Sequence, residues 1–316
     1  MSDHWIGVDL GGTKILAGLF DEDFRCLARA KEATPPPNPD PTAVFACIGS
    51  AVERVIEEAK IDRGHVRGLG LGVPGQIAPN LRRVRFAPNL GWKDVDITAH
   101  LPANWSWPTV IENDVRVGTY GEWRRGAAQG AKHVLGIFAG TGVGGALIFD
   151  GKLYHGFNFN AGEIGHTVVH WRKGTTLEQI AGRRSMMQRA GEQLADCNKD
   201  ERKRWKGVDL AAVKSSHLAK LVKENDLLAV QLVDDAARAL GAQIGSLINL
   251  LSPEVIVLGG GVAGALGEEF RERIWEIACK HALPGTTNDV RFVAAQLEDD
   301  SGIVGAAALA RDKAGS

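Results

Sequence analysis

The chain twice repeats one unusual pattern: an apolar strand, a glycine-rich turn and a second apolar strand. In residues 5–20 (WIGVDLGGTKILAGLF), Ile6 and Val8 alternate, then Ile15, Ala17 and Leu19, with Gly11-Gly12 between. Residues 133–149 (HVLGIFAGTGVGGALIF) repeat this and run into an acidic turn at Asp150-Gly151. Alternation at period two marks strands. Four glycines in the six residues from Gly140 to Gly145 exceed what a hairpin needs, since one or two suffice for a tight turn. The echo predicts two related α/β halves, each opening on a hairpin that offers a glycine loop.

The remaining chain fills in around these halves. Its 316 residues suggest two domains, at roughly 100–200 residues each. Asp21 to Asp23 read as a turn into a third strand, and a proline-rich loop (34–41) leads into a helix over 42–60. Val66 to Val73 read as a buried strand ended by Pro74-Gly75, and 109–111 as a short one before a helix from Val115 to Arg125. Residues 177–250 read as mostly helical, with Asn198 to Lys206 as a surface turn; the sequence gives no role to the helical segment 185–228. Val255 to Leu258 read as a buried strand, then a helix from Val262, and the last helix spans Gly302 to Arg311. No flexible linker stands out, so the domains are expected to pack tightly or share elements.

A net charge of −1 gives no reason to expect nucleic acid or an anionic membrane as partner. Cys26, Cys47, Cys197 and Cys279 are scattered and form no CxxC pair, which argues against a disulfide framework and for a reducing cytoplasm. The first residues run straight into a strand with no signal-peptide pattern, and no run of about 18 apolar residues predicts a membrane span.

Five segments carry chemistry. In Asp9-Leu10-Gly11-Gly12-Thr13-Lys14, glycine lets backbone N–H groups approach a phosphate and Thr13 adds a hydroxyl. Asp9, at a strand end, can hold Mg²⁺ through water; the plain alternative is a hairpin turn. Gly140 to Gly145 offers a second such turn, suited to clamping a polyphosphate from the other side. Gly259-Gly260-Gly261-Val262-Ala263-Gly264 matches G-x-G-x-x-G, as does Gly140/Gly142/Gly145. A dinucleotide site needs a βαβ unit and an acidic residue about 20 residues on. A strand follows Gly140, and Trp275-Glu276 read as helix, so a nucleoside resting on the Gly259 corner fits better.

Glu112-Asn113-Asp114 ends a strand before a helix. Asp114 can take a proton from an alcohol and Asn113 can bind a neighbouring hydroxyl; alternatively, Asp114 is simply the helix N-cap. Gly162-Glu163-Ile164-Gly165-His166 and Leu177-Glu178 supply two carboxylates and an imidazole, groups suited to vicinal hydroxyls. The alternatives are a partly buried His166 with a backbone partner and a solvated Glu178 at a helix start.

In order, DLGGTK (9–14), VPG (73–75), END (112–114), GTGVGG (140–145), GEIGH (162–166), LE (177–178) and VLGGGV (257–262) resemble the ROK family (repressors, open reading frames and sugar kinases) over nearly the whole chain. The resemblance implies an α/β, actin-like (ribonuclease H-like) ATPase fold with two lobes and a central cleft. The lobes are expected at 1–113 plus 302–316 and at 114–301. It implies Asp114 as catalytic base for a hexose 6-hydroxyl, with Gly75, Asn113, Glu163, His166 and Glu178 on the sugar. Gly11, Gly12, Thr13, Lys14, Thr141 and Gly142 would surround the phosphates, Gly259 and Gly260 the adenosine, and Asp9 would reach Mg²⁺ through water. ATP and Mg²⁺, lobe closure and a cytoplasmic homodimer follow from the same resemblance.

GEIGH and END resemble the glucokinase members, which puts glucose first as acceptor. Fructose, mannose and the N-acetylhexosamines are the other acceptors, set by loop positions such as Gln76, Asn89 and Tyr154, and polyphosphate is the other donor. Repressor members carry a helix-turn-helix domain before the first motif; here that motif begins at Asp9, so a sensor role is the lesser expectation. One departure is large. Many members continue from the GH pair into C-x-C-G-x-x-G-C-x-E, a zinc motif with the histidine as fourth ligand. Here His166 is followed by TVVHWRKGTTLE, without a cysteine, and His170 cannot replace three thiolates. No structural zinc is expected, and a backbone carbonyl or His170 is expected to orient His166 instead.

Overall fold

The computed structural model describes residues 3–36, 38–194 and 199–314, so Cys197 and the start of the Asn198 to Lys206 stretch lie outside the described residues. The chain forms two units: residues 1–131, 146–161 and 296–316 make the first, and 132–145 and 162–295 the second.

The first unit opens on a meander of β1 (His4–Leu10), β2 (Lys14–Phe20) and β3 (Cys26–Ala33), then α1 (Pro41–Ala59) and β4 (Val66–Val73). A small antiparallel sheet follows, β5 (Gln76–Ile77), β6 (Arg83–Ala87) and β7 (Trp92–Asp96), then β8 (Thr109–Asn113) and α2 (Asp114–Arg125). The main sheet runs β3-β2-β1-β4-β8, with β4 parallel to both β1 and β8. Asp40 caps α1 by accepting from Thr42 N, Pro41 presets its first turn, and Lys60 in the left-handed region ends it. Its buried face (Val44, Phe45, Ile48, Val52, Val55) joins Ile6, Val8, Leu69 and Leu71 in one core.

Next come β9 (Val134–Ala139), in the second unit, and β10 (Val143–Phe149), which begins there and ends in the first unit, where β11 (Lys152–Leu153) pairs with its end. The second unit continues with the hairpin β12 (Val168–His170) and β13 (Thr175–Thr176), then α3 (Leu177–Ala181), α4 (Arg183–Gln193), α5 (Lys199–Arg204), α6 (Ser215–Lys223) and α7 (Leu227–Leu251). It ends with β14 (Val255–Gly259), α8 (Gly261–His281) and β15 (Arg291–Ala294). β14 is parallel to β9 and to β15. Each half-repeat is thus a glycine-turned hairpin followed by parallel strands. α5 replaces part of the expected surface turn at 198–206; just after it, Trp205 is buried and donates to Asp226, the N-cap of α7.

The last helix, α9 (Ser301–Ala314), returns to the first unit and packs on β1, β4 and α2. Its residues are small, and its neighbours approach at backbone distance. A Cβ on Gly7 of β1 would fall 1.8 Å from Ile303 O, and one on Gly305 would fall 1.7 Å from Val117 O of α2. This packing places α2 in the first unit, whereas the expected lobe boundary at 113/114 would separate it. Among the described residues, no helix is long and apolar enough to cross a membrane.

Candidate active site

In the first unit β1, β4 and β8 end along one sheet edge, where open α/β sheets bind ligands. The register sets Asp9 opposite Gly72 and Val73 opposite Asn113. A Cβ on Gly72 would lie 3.5 Å from Asp9 Oδ1 and 3.7 Å from Asp114 Cα, so Asp9 and Asp114 flank one backbone position. Burial, and then the charge of Asp114, push the Asp9 carboxyl up from 3.8 to about 7; Asp299 adds to this and Lys14 opposes it. A buried carboxylate crowded by like charge is the kind of group that a divalent cation would relieve; the described residues form no cluster of three or more metal-ligating side chains, so Mg²⁺ would meet Asp9 with most of its waters kept.

Asn113, rather than Asp114, is the N-cap of α2. Its Oδ1 accepts from Val115 N (3.0 Å) and Arg116 N (3.2 Å). Its Nδ2 donates to Gly75 O (3.1 Å) and to Asp114 Oδ1 (2.9 Å). All four hydrogen-bonding positions of the amide are thereby filled, which leaves none for a sugar hydroxyl in this state. Asp114 Oδ1 also accepts from Val115 N at 2.9 Å, at a helix end that favours negative charge. Gly75 has φ +113°, and a Cβ there would fall 2.3 Å from Phe86 O, so only glycine fits this corner.

The turn from β1 to β2 closes through Gly11 N to Lys14 O (2.9 Å), and Thr34 Oγ1 donates to Gly11 O (2.7 Å). Gly12 has no left-handed φ, and a Cβ there would meet nothing within 4 Å. Among the described residues, nothing requires glycine at this exposed position. The open space beside its backbone is what a phosphate needs. Lys14 Nζ lies 2.5 Å from Asp299 Oδ2. Asp299 is brought there by Glu122, a buried carboxylate accepting from Ala127 N, Gln296 N, Leu297 N and Ser301 Oγ at 2.8–3.0 Å.

Behind Asn113 lies a buried ionic network. Glu112 Oε1 accepts from Asn113 N (2.8 Å) and Arg116 Nη1 (3.2 Å), and Oε2 meets His155 Nε2 at 2.5 Å. Burial works to raise the Glu112 carboxyl, but His155 and Arg116 outweigh it and hold it below its ordinary value. Arg116 also donates to Phe159 O and Ala161 O.

In the second unit the two glycine segments lie side by side. Gly140 N donates to Gly142 O (2.8 Å) to close the turn from β9 to β10. A Cβ on Gly260 would fall 2.4 Å from Ala139 O, and one on Gly140 would find Gly261 N at 3.9 Å. Gly260 (φ +89°) starts α8 without a side-chain cap, so the first-turn N–H groups form an anion-favouring end beside the exposed Thr141. Glu178 Oε2 accepts from Val143 N (2.9 Å), which joins an expected sugar residue to the expected phosphate turn. A Cβ on Gly165 would fall 1.9 Å from Val143 O, so the segment carrying Glu163 and His166 packs on the same residue.

The structure thus brings Asp9, Gly75, Asn113 and Asp114 together in one unit, beside the turn of Gly11 to Lys14. It gathers Thr141, Gly142, Glu163, Glu178, Gly259 and Gly260 in the other. The expected partner of His166 is absent: its imidazole is exposed, and among the described residues neither a carbonyl nor His170 hydrogen-bonds to it. Instead the hairpin β12–β13 and the bond from Leu177 N to Thr167 O (2.9 Å) fix the chain between His166 and Glu178. Sequence reasoning missed Glu112, Arg116, His155, Glu122 and Asp299. Only the four-residue spacing of Glu112 and Arg116 hinted at a pair.

The family model described as ROK family matches residues 5–313. The chain is 30% identical to a glucokinase of Halalkalibacterium halodurans over 326 aligned positions, covering 100% of this chain and 98% of that protein. It is 31% identical to a glucokinase of Streptomyces coelicolor over 323 positions, 97% of each. Among solved structures, a ROK family glucokinase from Streptomyces griseus in complex with glucose and AMPPNP superposes with a TM-score of 0.81 at 32% identity, covering 98% of this chain and 99% of that one. Two hairpin-plus-parallel-strand halves with this likeness make the fold the actin-like ATPase fold. With motifs, topology and full-length similarity in agreement, the chain belongs to the ROK family.

Proposed function

We propose that this chain is an ATP-dependent sugar kinase that transfers the γ-phosphoryl group of ATP to a hexose hydroxyl, with glucose as acceptor and glucose 6-phosphate as product. Similarity to glucokinases along the whole chain supports the class. The observation that carries the mechanism is Asp114: Asn113 Nδ2 and Val115 N fix one carboxylate oxygen at a helix start, close to Asp9.

Asp114 takes the proton of the attacking hydroxyl; a kinase base needs reach more than an unusual pKa. Asn113 acts by holding Asp114 and the Gly75 carbonyl, since its amide is fully engaged. Glu163, His166 and Glu178 bind the remaining hydroxyls, with Gly75 lining the sugar by its backbone. The turns Gly11-Gly12-Thr13-Lys14 and Thr141-Gly142 give N–H, hydroxyl and ammonium donors to the phosphate oxygens, and Gly259-Gly260 borders the adenosine. Asp9 would hold Mg²⁺ through water, and the ion when bound neutralises charge on the phosphates. The scattered cysteines suit a reducing cytoplasm, and a homodimer without structural zinc is our reading of the assembly. Elemental analysis finding stoichiometric zinc would reject the last point.

The test is a coupled ADP-release assay with Mg·ATP against a panel of hexoses and amino sugars. Glucose should give the highest turnover. ATP binding without release of ADP to any sugar would remove the reading.

A further inference from the structure

We propose that Arg183 is a positioning residue for the phosphoryl donor, acting through the hydroxyl of Thr141; this rests on the kinase reading above. Thr141 is exposed at the tip of the turn between β9 and β10, and its Oγ1 accepts from Arg183 Nη2 at 3.0 Å. A hydroxyl has one proton and two lone pairs. With Arg183 fixing a lone pair, the O–H is turned away from the guanidinium and left to donate outward. The acceptor that a glycine turn beside a helix N-terminus invites is a phosphate oxygen.

The backbone of α4 prepares the same turn. Arg183 N donates to Gly140 O (3.0 Å) and Arg184 N to Thr141 O (3.1 Å). The two carbonyls that would repel a phosphate are thereby occupied, and the turn keeps its donors for the ligand.

Arg183 also reaches a second wall. Its Nη1 donates to Val213 O, directly before Lys214 and α6. Ser215, the first residue of α6, has its Oγ 3.5 Å from the point where a Cβ on Gly261 would sit. One guanidinium therefore ties the Thr141 turn to the helical segment that borders the Gly259 to Gly261 corner. This gives residues 213–215, within the helical stretch whose role its sequence did not disclose, a place beside the site. A planar fork can serve Thr141 and Val213 together, whereas a lysine ammonium offers one point charge on a flexible stem.

The experiment is steady-state kinetics of Arg183→Gln, Arg183→Lys, Thr141→Val and the Gln/Val double variant. Arg183→Gln and Thr141→Val should each raise KM for Mg·ATP about tenfold, the scale of one charge-assisted hydrogen bond, with KM for glucose unchanged. Arg183→Lys should fall between wild type and Gln. The double variant should be no worse than Thr141→Val alone, because Arg183 works through that hydroxyl. An unchanged donor KM in Arg183→Gln, or losses that multiply in the double variant, would overturn the proposal. If Arg183→Gln does not fold, Arg183→Lys and Thr141→Val still decide it through the same split between donor and glucose KM. If the wild type ignores ATP but uses polyphosphate, the ATP reading falls and the variants are judged on the polyphosphate KM. A wild type inactive with both donors removes the kinase reading and this proposal with it.

Discussion

The turn of Gly11 to Lys14 and the turn of Gly140 to Gly142 occupy the same place in their half-repeats, yet they are held by different means. The first is tied by backbone bonds and by Thr34, and carboxylates surround it: Asp9, Asp114 and Asp299. The second also closes through backbone bonds, but side chains from neighbouring helices, Glu178 of α3 and Arg183 of α4, tie it as well, and it abuts the uncapped start of α8. A single local pattern is ringed by carboxylates in one half and tied to neighbouring helices in the other. The difference lies in what the surrounding elements bring to it.

Asp114→Ala breaks the comparison most directly. Turnover should fall on the order of a hundredfold or more while ATP binding, followed by calorimetry, persists. Near-normal turnover would remove Asp114 from the chemistry. Asp9→Asn probes the crowded carboxylates through stability. The native Asp9 carboxyl titrates near 7, against 3.8 for the free group, so the native state binds the extra proton between those values. Wild-type stability should therefore be fully present below about pH 4 and decline as pH rises through about 7. Asp9→Asn should match wild type in acid and exceed it at pH 8 by about 2 kcal/mol, well under the full shift because Asp9 keeps some contact with water. Urea melts across this pH range check the sign.

The two turns should also answer differently to alanine. On Gly142 a Cβ would fall 2.2 Å from Glu178 Oε2, displacing the carboxylate from Val143 N. Gly142→Ala should lose about 1 kcal/mol of stability and raise the glucose KM. Gly12 has open space, so Gly12→Ala should leave stability within about 0.5 kcal/mol and weaken only the nucleotide. Thermal melts paired with nucleotide titrations separate the two cases. Equal destabilisation would show that the turns are held alike.

Much of the fold was legible because apolar alternation and glycine punctuation agree. Val66–Val73 and the hairpins around both turns stand where their periodicity puts them. The sheet of β5 to β7 was not legible: β5 has two residues, and β6 interleaves Arg83 and Arg85 with its apolar positions. The choice of cap at α2 was undecidable from sequence, since Asn113 and Asp114 are adjacent and both residue types cap well. Glu112 with His155, and Glu122 with Leu297, join residues far apart in the chain, and nothing local announces such partners. Arg183 reads as an ordinary helix-start residue until Thr141 and Val213 are seen on either side of it.

The packing of α9 has a consequence for biosynthesis. β1 and β4 were made to meet a helix at backbone distance, and that helix is residues 301–314. An emerging chain can form the β1–β2 hairpin early, but one side of its sheet has no cover until residues 301–314 have left the ribosome. Contacts between such distant segments are slow to close, and an uncovered apolar sheet is open to aggregation meanwhile. The second unit is continuous except for residues 146–161 and can complete its own core first. The half that carries Asp9 and Asp114 therefore waits on residues 301–314 for its last layer.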